Sequence, residues 1–202
     1  NFSLHDQACF VISKFGPKAK PAVPTLIEWV RTRKSGTPTN EISALGLIGP
    51  EARDAVPVLA GALKNPLLRQ NALCALAGIG PGAEKAVPAV IEILKESATN
   101  TAAIEVLFRV GPPAKEALPV LREIESRETG ILRALAAVAI TRIEEANPER
   151  ALPLLIEVLK QGPLASGPIW TFEFLTLGNG GSVAVSLGPS ETAAWFLAEL
   201  GI

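Results

Sequence analysis

The chain has 202 residues, of which 48% are hydrophobic, and 19 basic residues almost balance 20 acidic ones. The apolar share is enough for a continuous core, whereas a basic stripe of the kind that binds nucleic acid is missing. No apolar run reaches the length of about 18 residues that a membrane helix needs, so we predict neither a nucleic-acid nor a membrane partner.

Repeated motifs organise most of the chain. Four Gly-Pro pairs between residues 16 and 112 are each followed at a fixed distance by Ala-Val-Pro or Ala-Leu-Pro. The four copies run from Gly16 to Pro24, Gly49 to Pro57, Gly80 to Pro88 and Gly111 to Pro119. A fifth Ala-Leu-Pro ends at Pro153, and consecutive closing prolines are 33, 31, 31 and 34 residues apart. Self-similarity at this period is typical of a solenoid, in which each unit packs on its neighbours.

The residues before each Gly-Pro pair predict a helix, here termed helix A. Apolar residues recur one, four and seven positions before the glycine, which places them on one helical face. These residues are Cys9, Ile12, Phe15, Ile42, Leu45, Ile48, Leu73, Leu76, Ile79, Ile104, Leu107 and Val110. Between them, Ala44 and Ala75 are small enough to let a neighbouring helix come close.

The ends of helix A also have sequence signals. Thr37 before Pro38 and Asn65 before Pro66 predict an N-cap followed by proline at the first helical position. The glycine of each Gly-Pro pair predicts a left-handed helix end, and the following proline prevents the helix from continuing.

A second helix, helix B, is predicted to begin near each Ala-Val-Pro or Ala-Leu-Pro, because proline is tolerated in the first helical turn. Apolar residues two and five positions after the proline predict its buried face. Glutamates four positions after the proline and basic residues three positions later lie on the opposite face, where they can pair. We predict that these residues form a partner-binding surface, the charged ladder. It consists of Glu28, Arg31, Lys64, Glu92, Lys95, Glu123, Glu157 and Lys160.

The repeated unit resembles a known family. Residues 44–52 (Ala-Leu-Gly-Leu-Ile-Gly-Pro-Glu-Ala) and 55–59 (Ala-Val-Pro-Val-Leu) are similar to HEAT repeats, and more narrowly to the short HEAT-like repeats of phycobilisome lyases. This resemblance covers residues 1–160 and implies an all-α, right-handed α-solenoid of five to six helical-hairpin repeats of about 31–34 residues. It also implies that the B helices line a concave face. The fifth unit departs from the pattern, since Glu144-Glu145 replaces Gly-Pro.

Residues 161–202 are irregular and predict a capping segment. Within residues 169–187, apolar and polar side chains alternate on either side of a turn rich in Gly and Asn, which is a β-hairpin signal. Residues 179–189 also align without a gap with residues 71–81, which favours a distorted sixth repeat with its helix B at 190–201. We prefer the sixth repeat, because helical neighbours favour a helical cap. Trp170 and Trp195 would then be buried capping aromatics.

Catalytic and metal-binding patterns are weak in this sequence. His5 is the single histidine, and we interpret it as a surface or capping residue. Deoxyhypusine hydroxylases are built from similar repeats, but the several His-Glu pairs that hold their iron are missing. Cys9 replaces Ile or Leu in the repeat and predicts a small core residue, whereas Cys74 lies off the core register and is expected to be partly exposed. We therefore predict no catalytic residue, no metal and no cofactor.

The function expected from these patterns is that of a non-catalytic scaffold that binds a protein or peptide along its helix-B face. One alternative, implied by the resemblance, is a bilin lyase or a chaperone-like subunit of bilin attachment. Another is a spacer or docking segment of a larger protein, since the chain begins at Asn1 and contains no methionine. The oligomeric state has no sequence signal, and two unpaired cysteines weakly favour a cytoplasmic setting.

Overall fold

The computed structural model describes residues 4–32, 38–160, 170–176 and 182–187. Up to residue 160 they form ten α-helices. These are α1 (Leu4–Lys14), α2 (Val23–Thr32), α3 (Thr39–Ile48), α4 (Val56–Ala62), α5 (Pro66–Ile79), α6 (Val87–Glu96), α7 (Thr101–Val110), α8 (Leu118–Arg127), α9 (Gly130–Glu144) and α10 (Leu152–Lys160). The predicted all-α class is confirmed for this part of the chain. None of the helices described is both long and apolar enough to traverse a bilayer.

The helices occur in five pairs, in which the odd-numbered helix is helix A and the even-numbered one is helix B. A short 3-10 helix joins the two members of each pair, which the sequence patterns did not predict. The joints are Gly16–Ala22, Gly49–Ala55, Gly80–Ala86, Pro112–Ala117 and Pro148–Arg150. Each B helix begins one residue before the closing proline, so the missing amide hydrogen of this proline costs no helical hydrogen bond.

The glycine of each Gly-Pro pair turns the chain from helix A into the joint. Gly49 has φ 75° and ψ −141°, and Gly111 has φ 71° and ψ −139°. The predicted positive φ is confirmed, but ψ lies far from the left-handed helical value. This combination belongs to a region that residues with a Cβ rarely adopt. The repeated glycine is therefore required by the backbone of the joint.

The predicted N-caps are correct at α5 and shifted at α3. The Asn65 side chain accepts a hydrogen bond from the amide of Leu67 at 3.0 Å, and Pro66 is the first residue of α5. In contrast, α3 begins at Thr39, so Pro38 is the N-cap residue and not the first helical residue. Residue 37 lies outside the described residues.

The N-cap of α7 provides a test of these local signals. The side-chain oxygen of Asn100 accepts a hydrogen bond from the amide of Ala103 at 3.2 Å. We expect Asn100→Ala to lower the free energy of unfolding by about 1 kcal/mol, because this amide loses its partner. Asn100→Asp keeps an acceptor and should retain most of the stability. Urea denaturation measures both variants, and equal losses would show that the cap is not the cause.

The A helices pack in chain order, α1 on α3, α3 on α5, α5 on α7 and α7 on α9. Each B helix also packs on the A helix that follows it, from α2 on α3 to α8 on α9, and α10 packs back on α9. Most of the apolar residues predicted from the repeat are buried. Ile42, Leu45 and Leu76 have no exposed surface, as the spacing predicted.

Helix α1 differs from the other A helices, because one of its faces is exposed. Phe15 was predicted to lie in the core, but 59% of its surface is exposed, and Ile12 is half-buried. Leu4, Phe10 and Val11 are also exposed. The physical reason is the position of α1 in the series. Within the described residues, it packs on the single A helix α3, whereas each of α3, α5 and α7 packs between two A helices.

The fifth unit lacks the Gly-Pro pair and uses charged residues at its joint. Helix α9 ends at Glu144, and Glu145 adopts a left-handed conformation with φ 52° and ψ 34°. The Glu144 carboxylate pairs with Arg122 on α8 and, at 3.5 Å, with Arg150 in the joint. Arg150 also lies 3.2 Å from Glu125 on α8. Glu144, which replaces the glycine of the regular repeats, therefore links the joint to α8, the preceding helix B.

The tail contains two strands, β1 (Trp170–Thr176) and β2 (Ser182–Leu187), which pair antiparallel with Thr176 opposite Ser182. The preferred prediction, a distorted sixth helical repeat, is therefore wrong for residues 182–187. The β-hairpin alternative matches these strands. The alternation of apolar and polar residues and the Gly-rich turn are local signals that agree with these strands. The alignment with residues 71–81 does not agree with them. The predicted helix at 190–201 and Trp195 lie outside the described residues, and the capping role remains a prediction.

Candidate functional site

All eight residues of the charged ladder have exposed side chains. Seven of them lie on the B helices α2, α6, α8 and α10, and Lys64 follows the end of α4 by two residues. The same helices bury their opposite faces. Leu26, Val90 and Leu121, for example, have no exposed surface. Since α2 contacts α4 and α6 contacts α8, neighbouring ladder residues are presented by adjacent helices.

The ladder contains ion pairs within single helices. Lys95 Nζ lies 2.7 Å from Glu92 Oε1, as the three-residue spacing predicted. On α8, Glu123 pairs at 2.6 Å with Arg127, four residues later. We missed Arg127, because the predicted position three residues after Glu123 is occupied by Ser126. A search that allowed both spacings would have found it. Exposed pairs of this kind stabilise a helix by about 0.3 kcal/mol, so their charges remain accessible to a partner.

A different group of polar side chains lies between α1 and α3. His5 Nε2 is 2.6 Å from Glu41 Oε1, and Asn40 donates a hydrogen bond to Asp6 at 2.9 Å. Glu41 has no exposed surface and Cys9 is 1% exposed, whereas the His5 side chain is 30% exposed. A buried carboxylate is costly unless it is paired, and His5 provides a partner for it. The prediction of His5 as a surface or capping residue missed this contact.

An open cleft of about 200 Å³ leads to this group and is lined by His5, Trp29, Thr32 and Glu41. The rings of His5 and Trp29 are 3.9 Å apart between centroids and tilted by 47°. Trp29 was predicted as a core position of helix B, and it is half-buried at the cleft. The contact with Trp29 restricts the orientation of the His5 ring, so the imidazole is held between α2 and α3.

His5, Cys9 and Glu41 are the residues that could hold a metal ion. One donor atom from each lies within 4.8 Å of the other two, and within the described ranges no other group of three such side chains meets this condition. The sequence signal that could have found them is the spacing of His5 and Cys9. Four residues apart on α1, they lie on one helical face. Glu41 has no such signal in its own neighbourhood.

Cys74 lies on α5 in a different environment, and it is half-buried as predicted. Its thiol donates a hydrogen bond to the backbone oxygen of Gln70 at 2.9 Å. Burial, together with the nearby Glu105 carboxylate, raises the pKa of Cys74 to about 12. The thiolate is therefore scarce at neutral pH, which argues against a nucleophilic role for this residue.

Glu105, on α7, is a second carboxylate that is largely shielded from solvent. Its side chain is 13% exposed, and Oε1 lies 3.7 Å from Nε of Arg109. Burial raises the pKa of Glu105 to about 7, and the Arg109 guanidinium only partly opposes this effect. A perturbed carboxyl group can indicate a functional site. Here the neighbouring groups are a protonated thiol and an arginine, so we assign Glu105 a structural role.

The chain matches no protein-family model, and comparisons with curated proteins and with solved structures gave no significant match.

Proposed function

We propose that this chain is a HEAT-like α-solenoid that acts as a non-catalytic scaffold and binds a protein or peptide along the charged ladder. The observation that carries this proposal is the exposure of all eight ladder residues, seven of them on the B helices α2, α6, α8 and α10 and Lys64 just after α4. Support for the solenoid comes from the serial packing of the A helices and from the period of the motifs. In HEAT-like repeats the B helices usually line the concave face, and the proposed surface would lie there.

The chemistry of the ladder indicates the kind of partner. The ladder contains four glutamates and four basic residues, so a partner that presents both signs of charge would match it better than a uniformly charged polymer. Exposed charges separated by more than about 8 Å are screened at physiological ionic strength. Binding is therefore expected to be faster and tighter at low salt. The mixed signs also disfavour nucleic acid, whose phosphates require a surface that is mainly basic.

Charge reversal on three B helices tests this surface. We expect the combined variant Glu92→Lys, Glu123→Lys and Glu157→Lys to weaken partner binding by about tenfold or more, because like charges then face each other. The fold should remain, since all three side chains are exposed. Capture from a lysate of the source organism, followed by mass spectrometry, identifies the partner. Titration of that partner then gives the change in affinity.

A matched control makes three Glu→Lys changes outside the charged ladder. Glu84 and Glu116 are exposed on the 3-10 joints of the third and fourth pairs, and Glu149 is exposed on the fifth joint. The combined Glu→Lys variant at these positions changes the net charge equally but leaves the ladder intact. We expect it to bind like the wild type. If it loses binding as much as the ladder variant does, net charge and not the B-helix face governs recognition, and the proposed surface is wrong.

A further inference from the structure

We propose that His5, Cys9 and Glu41 form a transition-metal site of the Zn²⁺ type, with three protein ligands and a fourth coordination position facing the cleft. This inference is independent of the proposed scaffold function, because none of the three residues belongs to the charged ladder. It concerns the contact of α1 with α3 and the end of α2 that lies beside it.

The donor atoms define the class of metal. An imidazole nitrogen, a thiolate sulfur and a carboxylate oxygen are the three ligand types that Zn²⁺ uses in proteins. A thiolate disfavours Mg²⁺ and Ca²⁺, which prefer oxygen ligands. Three protein ligands and one open position form the usual arrangement of zinc sites that exchange a water or a small ligand.

The distances between the donors suit a metal after small adjustments. Metal–ligand bonds of about 2.0–2.3 Å in a tetrahedral site place neighbouring donor atoms about 3.5 Å apart. His5 Nε2 and Glu41 Oε1 are 2.6 Å apart, and all three donor atoms lie within 4.8 Å of one another. The required separation lies between this 2.6 Å contact and the 4.8 Å limit that contains all three donor atoms. Shifts on the order of 1 Å in side-chain position would close the site around an ion.

The repeats supply an internal comparison that supports this site. Eight positions before the glycine of the Gly-Pro pair, the other three regular repeats have alanine, and the second repeat has Glu41. The alanines are Ala8, Ala72 and Ala103. Seven positions before the glycine, Cys9 stands where the other repeats have Ile42, Leu73 and Ile104. The two departures from the repeat occur on adjacent A helices and face each other. Core packing alone does not explain a carboxylate in a position that suits alanine.

Solvent access and the orientation of the His5 ring also suit a metal site. The cleft is lined by His5, whose side chain is 30% exposed, and by the buried Glu41, so an ion could reach these residues from solvent. Trp29 contacts the imidazole ring and limits its rotation. Partners that hold a ligand in place commonly strengthen metal binding. The cleft also has room for a water or a small anion at the fourth position.

Co²⁺ serves as the probe, because its complexes with thiolates absorb in the near ultraviolet. We expect the 202-residue chain, kept reduced, to bind one Co²⁺ with a thiolate-to-cobalt absorption band that added Zn²⁺ removes by displacement. Cys9→Ser should abolish the band and weaken Zn²⁺ binding by about 100-fold or more, and Glu41→Gln should weaken it by at least about tenfold. Cys74→Ser is the matched control and should retain the band, because it removes the only other thiol in the sequence.

Two results would overturn the proposal. One is a folded, reduced wild-type chain that shows no saturable Co²⁺ band. The other is a band that survives in Cys9→Ser but disappears in Cys74→Ser, which would assign the metal to Cys74 on α5. Circular dichroism establishes that each variant is folded. If Cys9→Ser does not fold, Cys9→Val supplies an apolar residue like those of the other repeats, and the same loss of the band is required of it.

Discussion

Replacement of Gly78 by alanine is expected to lower the free energy of unfolding by about 2 kcal/mol, because α3 and α5 contact each other through their backbones. A Cβ on Gly78 would overlap the backbone carbonyl oxygen of Gly46 on α3. The contact is reciprocal, since a Cβ on Gly46 would lie 2.7 Å from the Cα of Ala75. Backbone atoms cannot move aside as a flexible side chain can, so the two helices must separate.

Gly61 provides the control for this prediction. It lies on α4, and a Cβ added there would meet no atom within 4 Å. We expect Gly61→Ala to raise the free energy of unfolding by about 0.5 kcal/mol, since alanine loses less backbone entropy in a helix. Chemical denaturation of both variants measures the difference. If Gly78→Ala were as stable as Gly61→Ala, α3 and α5 would not be in backbone contact at this point.

The stability of the protein is expected to depend on pH through Glu105. The folded-state pKa of this carboxyl group is about 7, whereas its ordinary value is 4.5, so the folded protein holds the proton more tightly than the unfolded chain. Between these two values the contribution of Glu105 falls as the pH rises, and above pH 7 the loss is complete. A rise in pKa of this size corresponds to a loss of about 3 kcal/mol in the free energy of unfolding between low and high pH.

Glu105→Gln should remove this dependence. We expect the variant to be about 3 kcal/mol more stable than the wild type at pH 8 and nearly equal to it at pH 4. Glu92→Gln is the control, because its carboxylate is exposed on α6 and pairs with Lys95 in solvent. It should change stability by less than about 0.5 kcal/mol at either pH. Urea denaturation across this range decides the matter. A Glu105→Gln variant that parallels the wild type at every pH would show that the pKa of Glu105 is not raised in the folded protein.

The two features behind these predictions, the close contact of α3 with α5 and the burial of Glu105, differ in how far the sequence indicated them. The small Ala75 was expected to allow close helix packing, and it does contact Gly46. The opposing pair of Gly46 and Gly78 could not be recognised, because it depends on the alignment of two helices. Glu105 is one glutamate among many in the sequence. Its burial results from the packing of α5 and α9 on either side of α7.

The repeat period, the helix ends and the exposed ladder followed from local patterns. Apolar spacing fixes which face of a helix is buried, and proline and glycine limit where a helix begins and ends. Local patterns were less successful in the first repeat and in the tail. Phe15 fits the core spacing, yet it is exposed because α1 is the first A helix of the described series and packs on one A helix, α3. At residues 170–187 the two local signals disagreed, and the hairpin formed.

The amino-acid sequence was sufficient to predict the helical repeat, because each repeat is specified by short-range spacing and by residues with restricted backbone angles. It was also sufficient for the outward position of Glu92, Lys95 and the other ladder residues. The meeting of His5 and Cys9 with Glu41 required the tertiary structure, since more than 30 residues separate them along the chain. Only the packing of α1 on α3 brings an imidazole, a thiol and a carboxylate together, because contacts between successive repeats depend on helix alignment and not on any local motif.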